Sequence, residues 1–330
     1  MTILVTGGTG YVGSAVVRAL RDRGEPARVL ARKTSKTDHL TRLGVEIAYG
    51  DILDQSSIEA ALDGCDTLYH AAAIYEFWVP DKHHLMRTEV EGTRNAMVAA
   101  RNCRVRKVIY TSTTFTIGEA RGQVGNETTP HRGFFCTAYE EAKYRAELVV
   151  KEYAHQGVPV VIVNPGGVYG PGGVTATGQP IVNALNGKLP MILPGVLNFV
   201  YVDDVATGHV LAAEKGHIGE RYILSGGYID VAELIGKACQ LAGVTSPPVG
   251  SFFVARLVAN LGEFAARVTK RPPLLTKDVV SMLAQGSQLD GSKAERELGL
   301  HYTPLEEALP KTLAWYWEQG LLKQKPKFVA

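Results

Sequence analysis

The chain opens with ILVTGGTGYVGSAVVRALRDRG from Ile3 to Gly24, and no other stretch restricts its fold so tightly. An apolar run at 3–6 leads straight into glycines. A helical pattern follows in which Val16, Val17 and Leu20 share one face, with Gly24 as a natural stop. Gly8, Gly10 and Gly13 satisfy G-x-G-x-x-G, while Gly7, Gly10 and Gly13 satisfy G-x-x-G-x-x-G. Glycine at such positions supplies the dihedrals of a tight turn and lets the backbone approach a diphosphate closely. The free N–H groups and positive dipole end of the helix that follows favour the same anion. A glycine triplet alone can mark any turn, but a strand before it and an amphipathic helix after it supply the context dinucleotide binding requires.

The alternation continues along the first half. Strand-like runs at 27–31, 45–50, 67–71, 107–112 and 158–163 are interleaved with helix-like stretches at 56–64, 84–102 and 139–157. Parallel neighbours need crossovers, so this order predicts an α/β fold: a parallel sheet covered by helices on both faces. After residue 164 the regularity fades. Gly and Pro cluster at 165–180 and 190–195, a strand-like run follows at 198–206, and apolar helical patterns occupy 251–268 and the C-terminal 308–322. We expect a dinucleotide-binding domain at 1–164, rejoined by 198–216, with 165–197 and 217–330 forming a smaller, mixed substrate lobe over the sheet's carboxyl edge.

Composition excludes several classes. With 45% hydrophobic and 21% charged residues among 330, the chain can bury a core without staples, and a net charge of +2 spread along it gives no nucleic-acid tract. Cys65, Cys103, Cys136 and Cys239 share no CxxC or Cys/His pattern, which predicts reduced thiols in a cytoplasmic protein and no metal site. No basic segment followed by a long apolar stretch opens the chain, so no secretory signal is expected. Arg256, Glu263 and Arg267 interrupt 251–268, which argues against a membrane span. Within that segment Val254, Leu257, Val258, Leu261 and Val268 recur at helical spacing. The stripe is expected to pack inside the substrate lobe, the alternative being a lid or a surface that meets a membrane.

The end of the second strand distinguishes the cofactor. Readers of NAD place a carboxylate there for the ribose 2′-hydroxyl, and readers of NADP place Arg nearby for the 2′-phosphate. Here the strand ends Ala31, Arg32, Lys33, without a carboxylate, so NADP(H) is expected in preference to NAD(H). Asp51 and Ile52 end the third strand, placed to receive an adenine. Ala71, Ala72 and Ala73 follow the fourth, where small side chains let a dinucleotide lie flat, and His70 reads as a strand-end packing residue.

YEEAK at 139–143 sets Tyr139 and Lys143 at i and i+4 on one helical face. A phenol, which ordinarily titrates near pH ~10, is a poor proton carrier at neutral pH, but an ammonium one turn away favours its phenolate. The preceding strand ends in Thr111, Ser112, Thr113 and Thr114, any of which could hold a carbonyl oxygen beside Tyr139.

Taken together, TGGTGYVG, the hydroxyl-rich strand end and YEEAK resemble an extended short-chain dehydrogenase/reductase over essentially the whole chain. VEGTRNAM (90–97), YVDDVA (201–206) and SKAERELG (292–299) are similar to further segments of that superfamily. Within it the chain most resembles the dihydroflavonol 4-reductase-like group, which includes bacterial proteins labelled hopanoid-associated sugar epimerases, and HAAAIYEFWVPD (70–81) and GERYILSGG (219–227) resemble the latter in particular. The resemblance implies a Rossmann-type, doubly wound sheet. It implies that Gly7, Gly10 and Gly13, with Tyr11 and Val12, hold the diphosphate, that Arg32 meets the 2′-phosphate, and that Pro165, Gly166 and Val168 lie at the nicotinamide. Tyr139 would be the acid/base and Lys143 would hold the nicotinamide ribose. Counting back from Gly118 puts the catalytic hydroxyl on Thr113, with Ser112 as the alternative. Glu89 stands where Asn is usual, which leaves that helix's supporting contact open. Members often dimerise through the helices that here span 84–101 and 139–156.

Nucleotide-sugar enzymes of this superfamily usually read Arg-Pro-x-Asn-Val-Tyr-Gly-Pro after the sixth strand, with the Asn on the substrate diphosphate. Here the aligned Asn is Gly167, before Tyr169, and Leu197 stands where Arg is common. Desolvating a diphosphate without those contacts is costly. Apolar residues are abundant instead: Tyr75, Phe77 and Trp78, Phe134 and Phe135, and Met191, Ile192 and Leu193 could line a pocket for an aromatic or aliphatic carbonyl compound. The expected activity is NADPH-dependent reduction of an aldehyde or ketone. A sugar epimerase or dehydratase is the alternative, and a non-catalytic NADP-binding regulator fits less well with intact Thr113, Tyr139 and Lys143.

Overall fold

A computed structural model describes residues 2–79, 81–269, 273 and 275–328, with backbone alone at 267–269. In chain order the strands are β1 (Thr2–Thr6), β2 (Ala27–Ala31), β3 (Glu46–Tyr49), β4 (Cys65–His70), β5 (Lys107–Thr111), β6 (Val160–Pro165), β7 (Gly167–Tyr169), β8 (Val196–Tyr201), β9 (Arg221–Leu224) and β10 (Tyr228–Asp230). The helices of the first half are α1 (Tyr11–Asp22), α2 (Asp38–Arg42), α3 (Gln55–Leu62), α4 (Lys82–Asn102) and α5 (Ala138–His155). They are followed by α6 (Gln179–Leu185), α7 (Val202–Lys215), α8 (Val231–Ala242), α9 (Phe252–Thr269), α10 (Lys277–Gln285) and α11 (Leu305–Glu318).

Seven strands form one parallel sheet in the order β3-β2-β1-β4-β5-β6-β9. Its strands read as apolar runs because both faces are covered: every residue of β6 is buried. Alternation along β1 divides the layers. Val5 faces a core built with α1 and α7, whereas Leu4 faces one built with α3, α4 and α5. The direction of winding reverses between β1 and β4, and in sheets of this kind ligands bind outside the strand ends at that reversal. This is the expected doubly wound architecture, and β7, β8 and β10 add the small mixed sheet of the second lobe.

Three expectations need correction. The run 198–206 is a strand only to Tyr201; Val202 begins α7, with Asp203 and Asp204 in its first turn, where carboxylates complement the helix dipole. The segment 217–330 does not belong wholly to the smaller lobe, since Arg221–Leu224 pairs with β6 as the seventh strand of the large sheet. The stripe at 251–268 is helical but faces outward. Val254, Leu257, Val258 and Leu261 are exposed, while Ala255 and Ala259 are buried against Leu193 and Val280. The side chain of Val268 lies outside the described residues. Among the described residues, no helix is long and apolar enough to cross a membrane.

Candidate active site

The glycine turn closes where β1 meets β4. Gly7 has a φ of +73°, the Gly10 N–H donates to the Gly7 carbonyl at 2.9 Å, and Gly10 caps α1. No side chain fits here: a Cβ added at Gly7 would lie 2.5 Å from the Ala72 nitrogen, and one at Gly13 would lie 2.1 Å from the Gly7 oxygen. Bare backbone at a helix N-terminus is what a diphosphate needs. Tyr11 ties this turn to the second lobe by donating its hydroxyl to the Gly170 carbonyl at 2.9 Å.

A cleft of about 380 Å³ runs from this turn along the carboxyl ends of the strands. Arg32 and Ser35 beyond β2, with Asp51 and Ile52 beyond β3, line one part of it. Gly92 lies under Ile52, where an added Cβ would come within 2.6 Å of the isoleucine Cδ1, so α4 can approach closely. Gly7, Gly10, Tyr11 and Val12, and opposite them Ala71, Ala72 and Ala73, continue the lining. Thr113, Tyr139, Lys143, Pro165, Gly166 and Val168 complete it. Gly8 and Lys33 apart, the residues expected at a dinucleotide thus border one cleft. Arg32 is exposed and makes no ion pair among the described residues, so its guanidinium is available to a phosphate. A cradle with no room for Cβ atoms at a helix N-terminus, with an unpaired cation beside the cleft, fits a nicotinamide dinucleotide, NAD(P)(H).

At the opposite end, Thr137 caps α5 by accepting from the Glu140 N–H and so fixes the turn that carries Tyr139. Tyr139 is buried, yet its hydroxyl bonds to no other described residue. Its ring lies edge-on to Tyr75 at 5.3 Å and to Phe77 at 6.0 Å. Burial raises the Tyr139 phenol, and the Lys143 ammonium opposes that rise without cancelling it. Lys143 is fully enclosed. Its Nζ donates to the Thr111 carbonyl at 2.9 Å, stands 4.9 Å over the Tyr110 ring and lies 3.4 Å from the Glu89 carboxylate. Burial works against the ammonium, but Tyr110, Glu89 and Tyr139 together raise Lys143 and keep it charged.

Glu89 therefore fills the place of the usual Asn as a buried anion. Its other oxygen accepts from the Ile74 N–H at 2.6 Å, anchoring the segment that follows β4. The neighbouring hydroxyls are also separated by geometry. Ser112 donates to the buried Glu147 carboxylate at 2.5 Å, and Thr111 is engaged with His209 at 2.9 Å. Thr113 Oγ1 accepts only a 3.4 Å contact from the Phe115 N–H, so it is the one left accessible to a ligand in the cleft. Although burial opposes the Glu147 carboxylate, Lys151, Arg221 and Ser112 hold its pKa down to about 2.

Of the residues expected at a substrate, only Tyr75 lines the cleft. Phe77 stands behind it against Tyr139, and Trp78 is half-buried outside the lining. Phe135 instead packs with His131 and Tyr144 at 5.0 and 5.4 Å, because the loop after Gly118 folds away from the cleft. Tyr169 is buried with Tyr201 in the core of the second lobe. Gly167 pairs with Phe199, where an added Cβ would lie 3.2 Å from the Asn198 oxygen. Met191, Ile192 and Leu193 pack within that lobe, and Lys33 lies outside the lining. Ser35, His84, Thr88, Phe115 and Thr175 line the cleft without having been expected. The only available signal was their position on loops and helix ends that follow the strands.

Fold and cleft together define a dinucleotide-dependent oxidoreductase. The chain belongs to the NAD dependent epimerase/dehydratase family, whose family profile matches residues 3–225. It is 34% identical to a protein from Synechocystis with a provisional dihydroflavonol 4-reductase name, over 97% of this chain and 95% of that one. It is also 34% identical to sterol demethylase protein B from Methylococcus capsulatus, over 98% of this chain and 100% of that one. Among solved structures, gox2253 superposes with a TM-score of 0.85 at 38% identity, covering 98% and 99% of the two chains. The protein is thus an NAD(P)-dependent oxidoreductase of the extended short-chain dehydrogenase/reductase type.

Proposed function

We propose that this protein reduces an aldehyde or ketone to an alcohol with NADPH, acting on apolar or aromatic carbonyl compounds. The observation that carries this reading is the charge of the cleft wall. Among its described lining residues, Arg32 and Lys143 are the only permanent cations, and Lys143 is already paired with Glu89. A nucleotide-sugar diphosphate would have no cation of its own. Leu197 packs on the core of the second lobe, and Gly167 is pressed against β8, so neither position offers a replacement. Tyr75, Ile74 and Phe115 give the cleft apolar surface beside Tyr139. The reductase and sterol names of the two relatives accord with such a ligand.

The glycine turn would hold the diphosphate of NADPH, whose reduced nicotinamide would supply the hydride. Thr113 donates its hydroxyl to the carbonyl oxygen and fixes its direction. Tyr139 transfers its phenolic proton to that oxygen as negative charge develops, and Lys143 stabilises the resulting phenolate. The raised Tyr139 keeps the phenol protonated at neutral pH, which suits reduction.

The test is NADPH oxidation with a graded panel of aldehydes and ketones. Turnover should fall by about 100- to 10,000-fold in Tyr139→Phe, the range expected for loss of a general acid. Equal turnover by this variant, or turnover only of UDP-sugars with retained NAD, would refute the reading.

A further inference from the structure

One face of α5 carries a third charged group that the proposed chemistry does not use. Tyr139, Lys143 and Glu147 follow one another at helical spacing, so Glu147 stands about 12 Å along the helix from Tyr139. Its carboxylate is buried and fully engaged. One oxygen meets the Ser112 hydroxyl at 2.5 Å, the Thr116 hydroxyl at 2.6 Å and the Asn164 amide nitrogen at 2.9 Å. The other faces Lys151 at 2.7 Å and Arg221 at 3.2 Å. Asn164 lies in β6, fully buried, and the same amide nitrogen donates to the Thr113 carbonyl at 3.1 Å. That carbonyl also accepts from the Thr116 N–H at 3.2 Å and lies 2.8 Å from the Thr116 hydroxyl.

Resting on the reading that places Thr113 and Tyr139 at the reacting oxygen, we infer that Glu147 and Asn164 are positioning residues. They hold the Thr113 backbone so that its hydroxyl points at the oxygen to which Tyr139 delivers its proton. The Thr113 side chain has only its 3.4 Å contact with the Phe115 N–H to direct it, so its aim depends on the backbone that carries it. That backbone is extended, just past the end of β5. Lys143 grips the Thr111 carbonyl, Glu147 the Ser112 hydroxyl, and Asn164, itself bonded to Glu147, the Thr113 carbonyl. The strand end is thus clamped from the helix that bears Tyr139, and one rigid element sets the separation of the proton donor from the orienting hydroxyl.

The chemistry of the two side chains fits this task. Asn164 Oδ1 is buried without a hydrogen-bond partner among the described residues, so the amide serves through its N–H groups alone. A side chain kept only for stability gains nothing from burying an unused acceptor. At 147 an acceptor-only group is required, because donors approach one oxygen and cations the other, and an amide would turn its N–H groups toward one set. Glu147, Asn164 and Thr116 all lie outside the cleft lining, whereas Thr113 is part of it, so they act on the reaction only through residues that border the cleft.

The experiment is a double-mutant cycle of Asn164→Leu with Thr113→Val, read with whichever compound the wild type turns over best. Asn164→Leu should lower kcat by about 10- to 100-fold, the loss expected when a reacting group is misplaced by about 1 Å, and leave KM for NADPH unchanged. With Thr113→Val no hydroxyl remains to be aimed, and the same change should then lower kcat by less than about twofold. Equal losses in both backgrounds, or no loss in either, would overturn the inference. Thr116→Val keeps the side-chain volume while removing one donor to the same carbonyl, and serves if Asn164→Leu does not fold: its loss of kcat should likewise vanish with Thr113→Val, and a loss that persists there would overturn the inference. Crystal structures of the NADPH complexes read the placement without turnover. Thr113 should shift by about 1 Å against Tyr139 and Lys143 in the variant, on the scale that costs such a loss. An unmoved Thr113 would overturn the inference whether or not any carbonyl compound is reduced, whereas turnover of UDP-sugars alone would refute only the reductase reading.

Discussion

Glu89→Gln isolates the least expected member of the site. The substitution keeps an amide oxygen for the Ile74 N–H and removes the charge 3.4 Å from the Lys143 ammonium. At that separation two unit charges attract by about 5 kcal/mol at an effective dielectric of about 20. Both side chains are buried, and removing one partner of such a pair typically costs about 3–5 kcal/mol. The variant should therefore unfold at markedly lower urea.

Its effect on the proton relay has a definite sign. Glu89 is among the groups that raise the Tyr139 phenol, so neutralising it lowers Tyr139 toward its ordinary value. Lys143 stays charged in the variant because the Thr111 carbonyl and the Tyr110 ring still face its ammonium. The phenolate limb of the pH profile should therefore move to lower pH in the variant. The assay is alcohol oxidation with NADP⁺ across pH for both proteins, using the product of the best carbonyl substrate. An unchanged limb, or one that moves to higher pH, together with unchanged urea stability, would show that Glu89 neither pairs with Lys143 nor opposes the phenolate.

Arg32→Ala should raise KM for NADPH by about 10- to 100-fold, the loss of a charge-assisted contact, and leave KM for NADH unchanged; equal effects on both would remove Arg32 from the 2′-phosphate. Burial holds His70 and His209 neutral, with pKa values lowered to about 3 and about 4. The unfolded chain takes up these protons first, so their stabilisation is complete above about pH 6.5 and is lost as pH falls toward those values, by up to about 1.4 kcal/mol per unit for each. Urea midpoints between about pH 7.5 and pH 4.5 should show this slope, reduced in His209→Gln; a slope unaffected by that change would refute the assignment. Ala259→Leu should destabilise by about 1–3 kcal/mol through overpacking against Leu193 and Val280, whereas Leu261→Ser should change stability by less than about 0.5 kcal/mol, and thermal melts that reversed this order would contradict the orientation of α9.

What could be read from the chain depended on whether the signal was local. The glycine turn, the Val- and Ile-rich strands and the Tyr139–Lys143 spacing each follow from a few adjacent residues, and the observed elements lie where those residues put them. Where the decisive partner is remote in sequence, the pattern was silent or misleading. The break at Val202 has no side-chain cap to announce it, and packing of α7 beside α1 decides it. Glu89 looked like the loss of a familiar amide because its partner, Lys143, reaches it only once α4 and α5 are side by side. Ser112 and Thr113 are equivalent in the sequence, and Glu147 on the same helix as Tyr139 separates them by engaging one hydroxyl. The helix α9 is the sharpest case. Periodicity locates an apolar stripe but not the side from which it is covered, and alanines add little to that pattern while allowing the closest packing. A stripe of Phe, Leu and Val opposite a row of alanines is therefore evidence for two faces, one closed by the fold and one left for something outside it.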